Sequence, residues 1–227
     1  MISPARYDSL TPTEAVACQR ELYGKMNLDS LEKPIKIIGG CDISFNKYEE
    51  TVYAGIVLLR YPDMQVIDRV SVVASTKFPY IPGLLAFREV PALMQVWNKL
   101  DVKPDVLMLD GHGIAHPRRM GIAAHFGIVA DTPTIGCAKS RLTGTYAELP
   151  NERFASTPLL HKGEQIGNVL CSKLNCKPLF VSPGYKVSMQ QSLDIVKACL
   201  RKYRMPEPTR FAHLWVNEVR KAKGDVD

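Results

Sequence analysis

The sequence predicts an α/β protein: a mixed sheet of three antiparallel strands followed by parallel ones, flanked by helices. Three observations predict it. Residues 35–77 hold three β-branched, aromatic-rich runs with short connections, the pattern of an antiparallel meander. "DVLMLD", residues 105–110, is an almost unbroken apolar run, as expected of a strand buried on both faces. Beyond residue 86, stretches of helical period alternate with short strand-like ones, which calls for helices on both sides of the sheet.

In chain order, residues 13–33 read as an amphipathic helix ending before Pro34. Strands follow over 35–45, 51–61 and 65–77, with a Pro62-Asp63 turn between the last two. "FPYIPG", residues 78–83, then stops regular structure, because two prolines and a glycine fix φ and remove backbone donors. Tyr80 and Ile81 are thereby held on a stiff loop. Residues 86–100 have helical spacing, with Val90, Leu93, Met94 and Trp97 on one face. Pro91 fits only in a first turn, which predicts a start near Phe87 or Arg88. Strand 105–110, helix 120–129 and strand 134–138 come next. Residues 145–165 show no regular pattern; 178–187 reads as a strand or hairpin, and helices close the chain over 188–203 and 208–221. The order resembles that of the ribonuclease H-like fold, and residues 1–227 are read as one domain.

Composition narrows the function classes. At 46% hydrophobic and 23% charged, the 227 residues are those of an ordinary globular protein. No apolar run approaches the roughly 18 residues of a membrane span, and "MISPARYDSL" lacks a basic-then-apolar leader pattern, so the expectation is a cytoplasmic protein with no membrane association. Six scattered cysteines without a C-x-x-C pair suggest free thiols and no zinc site. Lys+Arg 29 against Asp+Glu 23 leaves +6, compatible with a polyanionic partner. Basic residues gather at Arg118-Arg119, Lys139-Ser140-Arg141, Arg201-Lys202-Tyr203-Arg204 and Arg220-Lys221-Ala222-Lys223, the last read as a solvated tail.

Three acids stand out by position. Asp42 interrupts an apolar strand, Glu89 opens a helix, and Asp110 ends a buried strand before Gly111-His112-Gly113. Singly, each has a structural reading: a turn bond, a helix N-terminus, a loop cap. Together they read differently, since this sheet order would set Asp42 and Asp110 on adjacent central strands, where two carboxylates repel unless a cation joins them. All-oxygen ligation suits Mg²⁺ or Mn²⁺ better than zinc. His112 and His116 have zinc-like spacing, but Gly113 and Pro117 make a shared helical face unfavourable. Arg118 and Arg119 could reach phosphates. Lys139, in the loop "GCAKSRLTG", either neutralises developing negative charge or is simply solvent-exposed.

"PYIPG…FRE", "DGHGIAHPRRMG…HFG", "PTIGCAKSRLTG" and "YRMPEPTRFAH" resemble, in order from about Gly39 to His213, the motifs of the endonuclease V family. The resemblance implies a ribonuclease H-like fold and a DNA repair nuclease that recognises deoxyinosine. Such an enzyme hydrolyses the second phosphodiester bond 3′ to the lesion and leaves 3′-hydroxyl and 5′-phosphate ends. It implies Mg²⁺, with Mn²⁺ as substitute, at Asp42, Glu89 and Asp110, completed by His213, with Lys139 near the scissile phosphate. Pro79, Tyr80, Ile81 and Pro82 match the family's wedge, where the alternative reading is a Tyr80 that packs under a loop. The lesion pocket maps onto Gly83, Leu85, Gly111, Ile114, His116, Gly121, Gly136, Ala138 and Leu142. Arg88, Arg118, Arg119 and Ser140 are expected at phosphates. The partner would be deoxyinosine-containing DNA, acted on by a monomer. Rival readings keep the nuclease but move it to inosine-containing RNA or to another structure-specific substrate, or keep nucleic-acid binding and drop catalysis.

Overall fold

The computed structural model describes residues 4–46 and 49–224. Two helices come first, α1 (Pro4–Asp8) and α2 (Pro12–Tyr23). Thr11 and Glu14 close a capping box at the start of α2, with Pro12 in its first turn. The helix stops at Tyr23, ten residues before the predicted end. Gly24 turns its N–H back onto the carbonyls of Glu21 and Leu22, and Leu31 is instead tied through its N–H and C=O to the amide of Gln191.

The predicted meander forms. β1 (Ile37–Phe45), β2 (Thr51–Arg60) and β3 (Gln65–Ser75) pair antiparallel in succession. α3 (Leu85–Lys99) then crosses to β4 (Val106–Leu109), which lies beside β1 and parallel to it. α4 (Ile122–Ala130) crosses in the same way to β5 (Thr134–Ala138), parallel to β4. A hairpin of β6 (Ser156–His161) and β7 (Glu164–Leu170) and the antiparallel β8 (Leu179–Tyr185) complete an eight-stranded sheet in the order β3-β2-β1-β4-β5-β8-β7-β6. α5 (Met189–Ala198) and α6 (Glu207–Gly224) follow. This is the ribonuclease H-like, mixed α/β arrangement that the sequence predicts.

Two further expectations fail for identifiable reasons. α3 begins at Leu85, so Pro91 sits in its interior instead of its first turn. Nine of its fifteen residues are buried, and that apolar seam outweighs one missing backbone hydrogen bond. Residues 145–165, read as irregular, contain β6 and the start of β7. Lys162 (φ 56) and Gly163 (φ 83) make the two-residue turn between them, and Pro158 is tolerated because β6 is the sheet edge.

Period-two alternation divides the core. Cys41, Ile56, Leu58, Leu107 and Leu109 pack with α1–α4, while Ile38, Val57, Leu59, Val106 and Met108 pack with α5 and α6. Residues 42 and 110 directly follow Cys41 and Leu109, the last parallel pair of β1 and β4, so both turn toward the α6 side where that pairing ends. α6 itself approaches β1 very closely: a Cβ on Gly40 would stand 1.9 Å from the Pro208 carbonyl oxygen. Only glycine permits that contact, and it brings His213 down to the strand end. All six cysteines are free thiols, four of them buried.

Candidate active site

Asp42, Asp110 and His213 offer one ligand atom each within 4.8 Å of one another. The His213 Nδ1 lies 2.7 Å from Asp42 Oδ2. The Asn217 amide nitrogen lies 3.0 Å from Nε2. Lys139, leaving β5, forms an ion pair with Asp110, so it is neither idle nor merely exposed. Glu89 comes from the second turn of α3 and lines the same small cleft as Asp42 and Asp110. It is not within the three-residue group.

The acids crowd one another. The Asp42 carboxyl is raised above the usual carboxylate range by burial and then by the charge of Asp110, with His213 pulling the other way. Glu89 is pushed up to about 8, first by burial and next by Asp42. Both shifts report the cost of ionising carboxyls in a desolvated, acid-lined site. Two carboxylate oxygens and an imidazole nitrogen at this spacing could hold a divalent cation, whose charge would lower that cost.

Beside the cluster is a pocket of about 320 Å³. Of the nine residues expected there, Gly83, Leu85, Gly111, His116, Gly121 and Leu142 line it. Ile114, Gly136 and Ala138 do not. Ile114 and Ala138 are buried, and Gly136 lies against the loop backbone, where a Cβ would stand 2.3 Å from the Gly113 nitrogen. Sequence reasoning missed His112, Met120, Ile122 and Arg141, which do line it; position within the two glycine-rich loops was the available signal. His116 is held near a pKa of about 4 by burial and then by Arg118. Its Nδ1 accepts from the Arg118 and Met120 amides and its Nε2 bonds the Gly83 carbonyl. The ring is therefore neutral, with its proton on Nε2 and both nitrogens engaged. His112 is likewise lowered to about 4, by burial.

The stretch expected to act as a wedge opens the pocket. Phe78 is buried, while Pro79, Tyr80 and Pro82 are exposed. The Leu84 amide donates to the Ile81 carbonyl at 2.9 Å across Pro82 and Gly83, and Gly83 has φ +80. Proline then a positive-φ glycine is a type II turn. Tyr80 stands at its rim, 42% exposed, its ring 6.1 Å from that of Phe45.

The expected phosphate ligands are mostly occupied within the protein. Arg88 is buried and donates to the Phe78 and Glu49 carbonyls. Arg118 binds Gln19 and the Gly83 carbonyl, and Arg119 binds His161 and Glu164 on the β6–β7 hairpin. Ser140 alone of the four is exposed, at the pocket edge. Arg201 and Arg204 are also spent on carbonyls, Arg204 on that of Lys139. Arg220, read as part of a tail, lies in α6 and bonds Ser44; the side chain of Lys223 lies outside the described residues.

Known proteins share this fold. Residues 20–214 match the endonuclease V family. Among solved structures, the Streptomyces avermitilis endonuclease V is 35% identical, with a TM-score of 0.90 and 96% of each chain covered. The Bacillus subtilis endonuclease V is 28% identical at a TM-score of 0.91, with 97% of each covered. The Ciona intestinalis endonuclease V, solved in complex with a 24mer DNA containing an inosine followed by a ribo-adenosine, is 30% identical at a TM-score of 0.79, covering 95% of this chain and 98% of that one. With most of its length matched by the family and its fold shared end to end, the chain belongs to the endonuclease V family.

Proposed function

We propose that this protein is a DNA repair endonuclease that recognises deoxyinosine and hydrolyses the second phosphodiester bond 3′ to it in a Mg²⁺-dependent reaction, leaving 3′-hydroxyl and 5′-phosphate ends. The observation that carries the reading is the side-by-side Asp42–Asp110–His213 group opening onto the pocket behind Tyr80. The inosine-containing DNA bound by the Ciona relative supports the substrate class.

Asp42, Asp110 and His213 would hold the cation, with Glu89 behind them. When bound, Mg²⁺ supplies Lewis-acid polarisation of the phosphate and lowers the pKa of attacking water. Lys139 brings a positive charge beside Asp110; handed from that carboxylate to a phosphate oxygen, it offsets charge that develops in the transition state. The stiff Pro79–Pro82 turn places Tyr80 where it can fill the gap left by an extracted base. Extraction costs a few kcal/mol, least for weakly paired bases. Gly83, Gly111 and Gly121 bring main chain to the pocket wall, and His112 adds a neutral imidazole whose Nδ1 has no partner among the described residues, groups that can read a flat purine edge by hydrogen bonds.

Cleavage of inosine in RNA is the second reading, favoured by the ribo-adenosine beside inosine in the Ciona complex. A nicking assay tests both. A labelled deoxyinosine duplex, an undamaged control and an inosine RNA are each incubated with Mg²⁺ or with EDTA. Mg²⁺-dependent nicking of the deoxyinosine duplex alone is expected. Cutting of RNA alone would move the protein to the second reading, and cutting of nothing despite binding would overturn catalysis.

A further inference from the structure

The loop between β3 and α3, residues 76–84, is tied at both of its roots to the N-terminal helices. At the first root, the carboxylate of Asp8 ends α1. One of its oxygens accepts three hydrogen bonds, from Thr76 Oγ1 (3.2 Å), the Lys77 amide (2.8 Å) and the Phe78 amide (3.2 Å). At the second root, Gln19 of α2 is fully buried. Its Nε2 donates to the Gly83 carbonyl (3.0 Å) and the Met120 carbonyl (3.2 Å), and its Oε1 accepts from Arg118. The Gly83 carbonyl thus takes donors from Gln19, His116 and Arg118 together.

Packing alone does not account for these two residues. A buried glutamine is unfavourable against a leucine unless its bonds are made, and here one goes to the loop, one comes from the arginine that holds it, and the third goes to the Met120 carbonyl. α1 has five residues, far too few to be helical unaided. It is held by Tyr7, buried against Phe87 and hydrogen-bonded to His125 Nε2 at 3.0 Å, and so docked it presents Asp8 to the loop. Both residues precede the span matched by the family, which begins at residue 20.

We propose that α1 and α2 form a clamp that presets the 76–84 loop for strand separation, with Asp8 and Gln19 as its positioning residues. This rests on the reading of that loop as the element that replaces an extracted base. A preset loop adds no ordering cost when it inserts, so the clamp matters most where the lesion must be parted from a partner strand. It matters least where the lesion is already unpaired.

The test compares nicking of deoxyinosine paired with cytosine in a duplex against the same labelled strand alone, using the full-length protein with Mg²⁺. Asp8→Ala should lower the duplex-to-single-strand rate ratio about tenfold, and Gln19→Met should lower it severalfold. Asp8→Asn, whose amide oxygen can still accept, should restore most of the ratio. Amide exchange provides a readout independent of activity: Lys77 and Phe78 should exchange about tenfold faster or more in Asp8→Ala. An unchanged ratio, or equal losses on both substrates, overturns the clamp even if the variants melt at lower temperature. If Asp8→Ala does not fold, Asp8→Asn and Gln19→Met still decide it. Wild-type protein that nicks neither substrate would overturn the nuclease reading, and unaltered exchange at Lys77 and Phe78 would separately overturn the clamp.

Discussion

The carboxylate cluster and the loops beside it are neighbours in space and opposite in how their polar groups are satisfied. In the cluster, Asp42 and Glu89 are both raised by burial and by neighbouring acids, against partial compensation from His213 and Lys139 at Asp42 and from Arg88 at Glu89. In the loops, one carbonyl, that of Gly83, takes three donors, and His116 has both nitrogens engaged. One region crowds acids that a cation would relieve; the other has most of its polar groups paired before any ligand arrives, His112 Nδ1 excepted. Chemistry and recognition are thus built on opposite principles, frustration in the first and preorganisation in the second.

Removing a charge from the cluster should separate function from stability most sharply. Asp42→Asn is expected to cut nicking by about a thousandfold or more, the scale of losing a group that acts on the reacting centre. In EDTA it should also raise the melting temperature, since it deletes a desolvated charge beside Asp110. Thermal melts with and without Mg²⁺ check this; the stabilisation that Mg²⁺ gives the wild type should shrink in the variant. A variant that melted lower in EDTA would mean that the cluster is not frustrated. Next in size, Lys139→Met should lower nicking about a hundredfold while leaving affinity for the lesion duplex nearly intact. Equal losses in rate and affinity would place Lys139 with the recognition loops instead.

How far the sequence reveals these two regions follows from the same contrast. The cluster was readable because strand periodicity and parallel order are local patterns with long-range consequences: "DVLMLD" must be buried on both faces, so Asp110 must emerge at its end beside Asp42. The direction of a long side chain carries no such pattern. Arg88, Arg118 and Arg119 look like phosphate ligands in sequence, yet each turns inward to carbonyls or a carboxylate. The β6–β7 hairpin was hidden because its turn uses Lys162-Gly163, a weak signal beside Asn-Gly, and because Pro158 argues against a strand everywhere except at an edge. The clamp residues Asp8 and Gln19 carry no motif at all, only contacts across 64 to 101 positions.

A pH experiment examines the side whose polar groups are mostly paired. His125 is held near a pKa of about 3 by burial, against 6.5 ordinarily, and it anchors Tyr7 under the loop. Between those values the unfolded chain binds a proton that the folded protein refuses, so this residue's contribution to stability falls as pH falls. From pH 6.5 to 4.5 the wild type should lose about 2 kcal/mol more than His125→Asn. Urea titrations at several pH values measure it, and parallel slopes would mean that His125 is not kept neutral.

The smallest expected effect tests whether the two regions are separable. Gly83 has φ +80, and a Cβ there would stand 3.0 Å from Arg118 Nη2. Gly83→Ala should therefore cost about 1 kcal/mol, from the positive φ and from disturbing the arginine that helps hold the turn. For a chain of this size that is a fall in melting temperature of roughly 2–4 °C. Its effect on nicking should be larger on paired than on unpaired deoxyinosine, because the strained turn carries Tyr80. The Mg²⁺ concentration for half-maximal nicking should not move, since no atom of Gly83 touches the carboxylates. A shifted Mg²⁺ requirement would show that the turn and the cluster are coupled, and the division between a frustrated centre and a mostly paired frame would have to be abandoned.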